Sequence, residues 1–216
     1  MRIVLVFGFA AAVALAPSVS TAAPKAAKGG QLTEQDVRTC MGVDGSDHAA
    51  QIQACTKVIN SGKVKAEFLG DYYATRGAAY LSSKQPDKAL ADFNKALTIR
   101  PAPEFYLQRG LVHMTKGNWD LAKTDLGQAI KLKPDFAPAY LMRGLASYQA
   151  GDYKEALTFF DDAVKRVPTY YQALYARGVA KKKTGDDSGG DKDIKDARGM
   201  RPKVDDEMKK FGVAPA

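Results

Sequence analysis

The sequence predicts an all-α repeat array, and three observations carry that prediction. Arg-Gly pairs recur at Arg76-Gly77, Arg109-Gly110, Arg143-Gly144 and Arg177-Gly178, their glycines 33, 34 and 34 residues apart. Pro101, Pro134, Pro168 and Pro202 repeat the same three spacings. Between these markers stand Ala89, Ala122 and Ala156, then Phe93, Leu126, Phe160 and Ile194, then Ala96, Ala129, Ala163 and Ala197. A fixed period of this size marks a stack of like units, none of which can bury its apolar face alone.

The first element precedes the array. Met1-Arg2 is a short positive region, Ile3 to Ala16 is an apolar run, and Pro17 is followed by small residues. This is the layout of a secretory signal peptide. The run falls short of the roughly 20 residues that a membrane span needs, and Ser20-Thr21-Ala22 suits cleavage after Ala22. Residues 1–22 are therefore expected to be removed, leaving no stable membrane insertion. Losing Arg2 lowers the formal charge from +8 to +7. The basic residues are interleaved with acidic ones: even Lys181-Lys182-Lys183 is followed by Asp186 and Asp187. A nucleic-acid site would need them segregated on one face, so none is expected. Residues 23–32 read as a flexible leader.

Residues 33–69 are expected to form a helical hairpin. Thr33 and Asp36 resemble a capping box, and the segment "GVDG" at Gly42 to Gly45 breaks the helix. Ser46 or Asp47 can cap a second helix ending near Gly62. The predicted helices span 34–41 and 47–60. Cys40 and Cys55 are the two cysteines of the chain. On one continuous helix they would stand about 22 Å apart, beyond bonding range, whereas a hairpin can bring them together. In an exported chain a disulfide is the default, stabilising by about 3 kcal/mol for a loop of this length. The competing arrangement, both thiols with His48 on a metal, matches no common zinc spacing. No metal or other cofactor is predicted.

The array itself begins at residue 70. The stretches "GDYYATRGAAYLSSKQPDKALADFNKALTIRPA" and "LMRGLASYQAGDYKEALTFFDDAVKRVP" resemble the tetratricopeptide repeat, a helix-turn-helix unit. The units are 70–102, 103–136, 137–170 and 171–204. The last is degenerate, with Lys181 for an aromatic and Gly190 where Ala is usual. The resemblance implies an α-α solenoid of about four repeats, flanked by the N-terminal hairpin and a C-terminal cap. Gly in the first helix and Ala at the crossing let the two helices approach, while the large apolar residue fills the space between units. Gly117 and Gly151 suit the turn, and Pro stops the second helix. The Arg before each Gly departs from the family, where an apolar residue is common. Asp92, Asp125 and Asp193 recur one helix later, which predicts bridges Arg76–Asp92, Arg109–Asp125 and Arg177–Asp193. Phe159 occupies that place in the third unit, so Arg143 needs another partner, with Asp125 the candidate. The alternative is a ladder of arginines gripping an anion.

The resemblance also implies that the first helices line a concave face. Positions there include Leu81, Leu107, Leu111, Met114, Leu141, Leu145, Tyr148, Tyr175 and Val179, with Phe136 and Tyr170 at the unit entries. An exposed apolar strip of this kind suits a peptide or an amphipathic helix. Two alternatives are that these residues pack between adjacent first helices, and that the C-terminal segment folds back over them. Relatives that clamp a peptide carboxylate use Lys and Asn at paired positions. This chain has Ala74 and Ala78, Leu107 and Leu111, Leu141 and Leu145, and Tyr175 and Val179, so such a clamp is not expected. Residues 205–216 read as a capping helix with Met208 and Phe211 turned inward.

Catalysis needs a positioned acid, base, nucleophile or metal. His48 and His113 stand far apart, and there is no phosphate loop or nucleophile elbow. A non-catalytic adaptor with a protein or peptide partner is expected. The alternative is a structural or self-associating array, a homo-oligomer without a separate client. The signal-like start and the repeat type resemble periplasmic bacterial proteins, so a periplasmic or secreted location is expected.

Overall fold

The computed structural model describes residues 31–214. The expected signal peptide and most of the leader lie outside the described residues. Among those described there are eleven α-helices and no strand. The chain divides into two compact units, residues 31–101 and residues 102–214 of the described part.

The first unit holds α1 (Glu34–Cys40), α2 (His48–Asn60), α3 (Ala66–Ser82) and α4 (Pro86–Ile99). The capping box forms as the sequence predicts: Asp36 N donates to Thr33 Oγ1 at 3.1 Å, and Thr33 N donates to Asp36 Oδ2 at 2.7 Å. Asp47 rather than Ser46 caps α2, accepting from Ala50 N at 2.8 Å. The intervening break uses Gly42 and Gly45, both at positive φ. Cys40 and Cys55 are joined, their Cα atoms 4.6 Å apart. They form a small core with Ala54 and Val58, and Leu32 of the leader packs against it. His48 is exposed and pairs with Gln51, so the metal arrangement is excluded by the sulfurs' own bond.

The second unit holds α5 (Pro103–Thr115), α6 (Trp119–Leu132), α7 (Ala137–Gln149), α8 (Tyr153–Arg166), α9 (Tyr171–Lys183), α10 (Asp187–Met200) and α11 (Val204–Lys209). Each second helix, α4 included, ends two residues before its proline, at Ile99, Leu132, Arg166 and Met200. Proline restricts the residue before it to extended backbone, which explains the constant stop. Within each repeat the first helix packs on the second, and each second helix of the unit packs on the first helix that follows.

The close approach at the crossings is real. A Cβ added at Gly144 would lie 2.5 Å from the Phe160 ring, and one at Gly178 would lie 2.7 Å from the Gly190 carbonyl oxygen. Gly190 is forced by the same contact, since its own Cβ would lie 2.6 Å from the Gly178 oxygen. The degenerate fourth repeat thus replaces Ala by Gly because its helices run closer together. At the turn of the first repeat Lys84 adopts φ 59°, the left-handed region that Gly117, Gly151 and Gly185 occupy in the other three.

Candidate functional site

Polar ties hold the two helices of a repeat at a fixed spacing, and three of them have the predicted form. Arg76 Nε and Nη2 donate to Asp92 at 2.7 and 2.8 Å. Arg109 makes the same fork to Asp125 at 2.8 and 2.6 Å, and Arg177 to Asp193 at 2.7 and 2.8 Å. All three carboxylates are buried. Each guanidinium is held more firmly protonated by its Asp, against the opposing effect of burial. Burial alone would raise the Asp193 carboxyl, but hydrogen bonds from Arg177 and Lys181 outweigh it and hold the group below its usual range. In each of these arginines Nε and Nη2 are engaged by the Asp of the facing helix, which makes them structural ties.

Arg143 does not reach Asp125 as expected. Its Nη2 lies 3.8 Å from Glu155 Oε1, and its guanidinium lies over the Phe159 ring at 4.3 Å. Glu155 stands one turn before Phe159 on α8 and is itself engaged by Ser147 and Lys123. Arg143 Nε is buried without a hydrogen-bond acceptor. The third repeat therefore replaces a bidentate ion pair by a cation–π stack.

The candidate site is the face made by the first helices of the second unit, α5, α7 and α9. Leu107 and Leu111, one turn apart on α5, are half-buried and pack against the main core cluster. Tyr170 is partly open at the entry to the fourth repeat, with its hydroxyl pKa raised by burial. Met114, Phe136 and Tyr148 are nearly enclosed; Phe136 packs with Ala129 and Ala139, and Tyr148 tilts against Tyr153 at 5.1 Å. Leu81 is half-buried on α3 in the first unit. Leu141, Leu145, Tyr175 and Val179 are at most 1% exposed. These four are not an open strip. They form one core with Val204, Met208 and Val213 of the C-terminal segment.

That segment does more than close the end of the array. Its helix, α11, packs on α9 and α10, with Met208 fully buried as expected and Phe211 partly so. Tyr175 Oη donates to Asp205 at 2.8 Å, and Tyr171 Oη donates to Glu207 at 3.0 Å. Arg198 forks onto Asp205 at 2.9 and 2.6 Å, and Arg201 Nε reaches Glu207 at 2.8 Å. The bond from Arg198 is the main reason why the Asp205 carboxyl titrates below its usual range. Beyond α11, the Gln149 side-chain amide of α7 donates to the Phe211 carbonyl oxygen. The chain's own tail lies across the apolar face from α9 to α7. The sequence raised this fold-back as one alternative; the anchoring role of Gln149 gave no signal there.

His113 is buried on α5 with Nε2 at 3.7 Å from Asp125 and Nδ1 unpartnered. Burial, opposed by Asp125, lowers its pKa. Among the described residues no three His, Cys, Asp or Glu side chains gather as a metal site, and no helix is long and apolar enough to cross a membrane.

Two descriptions of the tetratricopeptide repeat match this chain, over residues 70–102 and 107–171. Among solved structures, MamA from Desulfovibrio magneticus RS-1 is similar at a TM-score of 0.69 and 16% identity, over 82% of this chain and 98% of that one. YrrB, described as a TPR protein with an unusual peptide-binding site, gives 0.60 and 19%, over 80% and 86% of the two chains. The first TPR of Spaghetti (RPAP3), bound to an HSP90 peptide, gives 0.53 and 18%, over 56% and 96%. At these identities the likeness is one of fold.

Proposed function

The chain belongs to the tetratricopeptide-repeat family, and from that premise we propose that it is a non-catalytic adaptor that holds a protein or peptide partner on the first-helix face of its second unit. The observation that carries this is the pair Leu107 and Leu111, half-open beside an enclosed apolar floor. Burying such side chains against a partner contributes about 25 cal/mol per Å² of apolar area, and residues one helical turn apart match an amphipathic helix or an extended strand. Of the solved structures of like fold, YrrB is described as having a peptide-binding site and the first TPR of Spaghetti is bound to an HSP90 peptide. The adaptor acts after export, in the periplasm or outside a bacterial cell. The signal-like first 22 residues and the Cys40–Cys55 bond support that location.

The test is capture of a partner by the tagged mature chain from an envelope extract, beside a Leu107→Asp/Leu111→Asp variant with unchanged helical content. Leu145 is unsuited to this role because it is fully buried. A partner held by the parent and lost from the variant supports the reading. A partner held equally by both removes the site from this face. Intact mass of the exported protein beginning at Ala23 would support export, and a retained Met1 would overturn it.

A further inference from the structure

We propose that the C-terminal segment is a resident occupant of the partner site, and that the partner is a segment of like chemistry: an acidic turn followed by spaced apolar residues. The inference rests on the adaptor reading above and adds to it the partner's chemistry and its regulation.

The contacts divide into two kinds. The carboxylates of Asp205 and Glu207 are taken by two tyrosine hydroxyls on α9, by Arg198 on α10 and by Arg201 just after that helix. Met208 and Val213 enter the core that Leu141, Leu145, Tyr175 and Val179 complete. A backbone carbonyl, that of Phe211, is read by the Gln149 side chain. Groups that pair with carboxylates, an apolar floor and a donor to a main-chain carbonyl are what a groove needs to hold a polypeptide. Apart from that of Arg201, which belongs to the link into α11, these contacts do not depend on the occupant being joined to α10. The arrangement would accept any segment with the pattern of Asp205, Glu207, Met208, Phe211 and Val213.

The resident segment is also poorly suited to persist by itself. α11 has 6 residues, and helices shorter than about 12 residues are marginal in water. It is helical because the face orders it. Its advantage is attachment, which acts as an effective concentration on the order of millimolar. An incoming segment must overcome that advantage, so the tail sets a threshold for partner binding and rejects segments lacking the acidic turn.

The experiment uses the full mature chain and a labelled peptide of residues 203–216. In Met208→Asp the tail is expelled while every residue of α7, α9 and α10 is kept. Asp205→Asn/Glu207→Gln loosens it more gently and serves should the first variant lose helical content. The peptide is expected to bind the loosened protein at least tenfold more tightly than the parent. A peptide carrying Asp205→Asn and Glu207→Gln is expected to bind that protein at least tenfold more weakly. Equal, weak binding to parent and to folded variants overturns the proposal. If capture through Leu107 and Leu111 then persists, the adaptor reading stands without it. Self-association of the parent, abolished by Met208→Asp, would assign the face to a second copy and overturn the proposal of a separate partner.

Discussion

Replacing Asp193 by Asn removes one buried charge with almost no change of shape. The carboxylate accepts from Arg177 Nε at 2.7 Å and Nη2 at 2.8 Å, and Lys181 Nζ lies 2.9 Å away. Breaking a buried pair costs about 3–5 kcal/mol because the surviving charge is left unpaired. Two features bring the figure to the lower bound. Arg177 keeps a second acceptor, Asp161 at 3.1 Å, and the Asn oxygen can still accept one bond. The expected loss is about 3 kcal/mol, and at ~2–4 °C per kcal/mol for a chain of this length the melting temperature falls by ~6–12 °C. Far-UV circular dichroism melts at pH 7 provide the measurement. Arg177→Met/Asp193→Asn should lose less than the two single changes added together, because no unpaired guanidinium remains. The folded carboxyl titrates below its ordinary value, so its stabilisation is present above the unfolded pKa and is lost as pH falls through the folded one. The gap between parent and Asp193→Asn should therefore close below a pH of about 4. A shift under ~2 °C at pH 7, or strict additivity in the double variant, would refute the reasoning that these arginines are structural ties.

Three further outcomes follow from other positions. Lys84→Gly relieves a left-handed backbone and should raise stability by about 1 kcal/mol in urea titration; a loss would mean that the turn is held by the lysine side chain. Gly144→Ala drives a methyl into the Phe160 ring and should cost about 1–3 kcal/mol, read as a lower urea midpoint. His113 has a depressed pKa in the fold, so the unfolded chain binds its proton first and stability should fall as pH drops below about 6.5. In melts between pH 5 and pH 8, His113→Phe should flatten that slope; an unchanged slope would place its origin elsewhere.

The parts of this molecule that were legible in its sequence are those written in the repeat. The Arg and Asp that pair stand 16 residues apart in all three bridges, and that register could be read directly. The substitute for the missing Asp could not. Glu155 lies one turn away from the expected place, and a stack on Phe159 leaves no spacing signature. The site was less legible still. Whether Leu141 or Tyr175 is open depends on residues outside the period, since Asp205 and Phe211 reach back to α9 and α7. A pattern that marks a face as apolar does not say what will cover it. The turn at Lys84 shows the converse, where the backbone keeps the geometry of the repeat after the sequence has dropped its glycine.

The stack of Arg143 on Phe159 makes the third repeat respond to temperature differently from its neighbours. α7 contributes ten buried residues, and in its repeat the forked Arg–Asp pair of the others is replaced by the stack on Phe159 and a single long contact from Arg143 to Glu155 at 3.8 Å. Its cohesion is thus mainly hydration-driven, and such cohesion weakens on cooling because apolar exposure carries a large heat capacity. The forked pairs on either side follow a shallower curve. The order in which the hairpins of this array open is therefore not a fixed property of the chain: near freezing the central apolar hairpin moves toward the front of that order, and at high temperature it moves back.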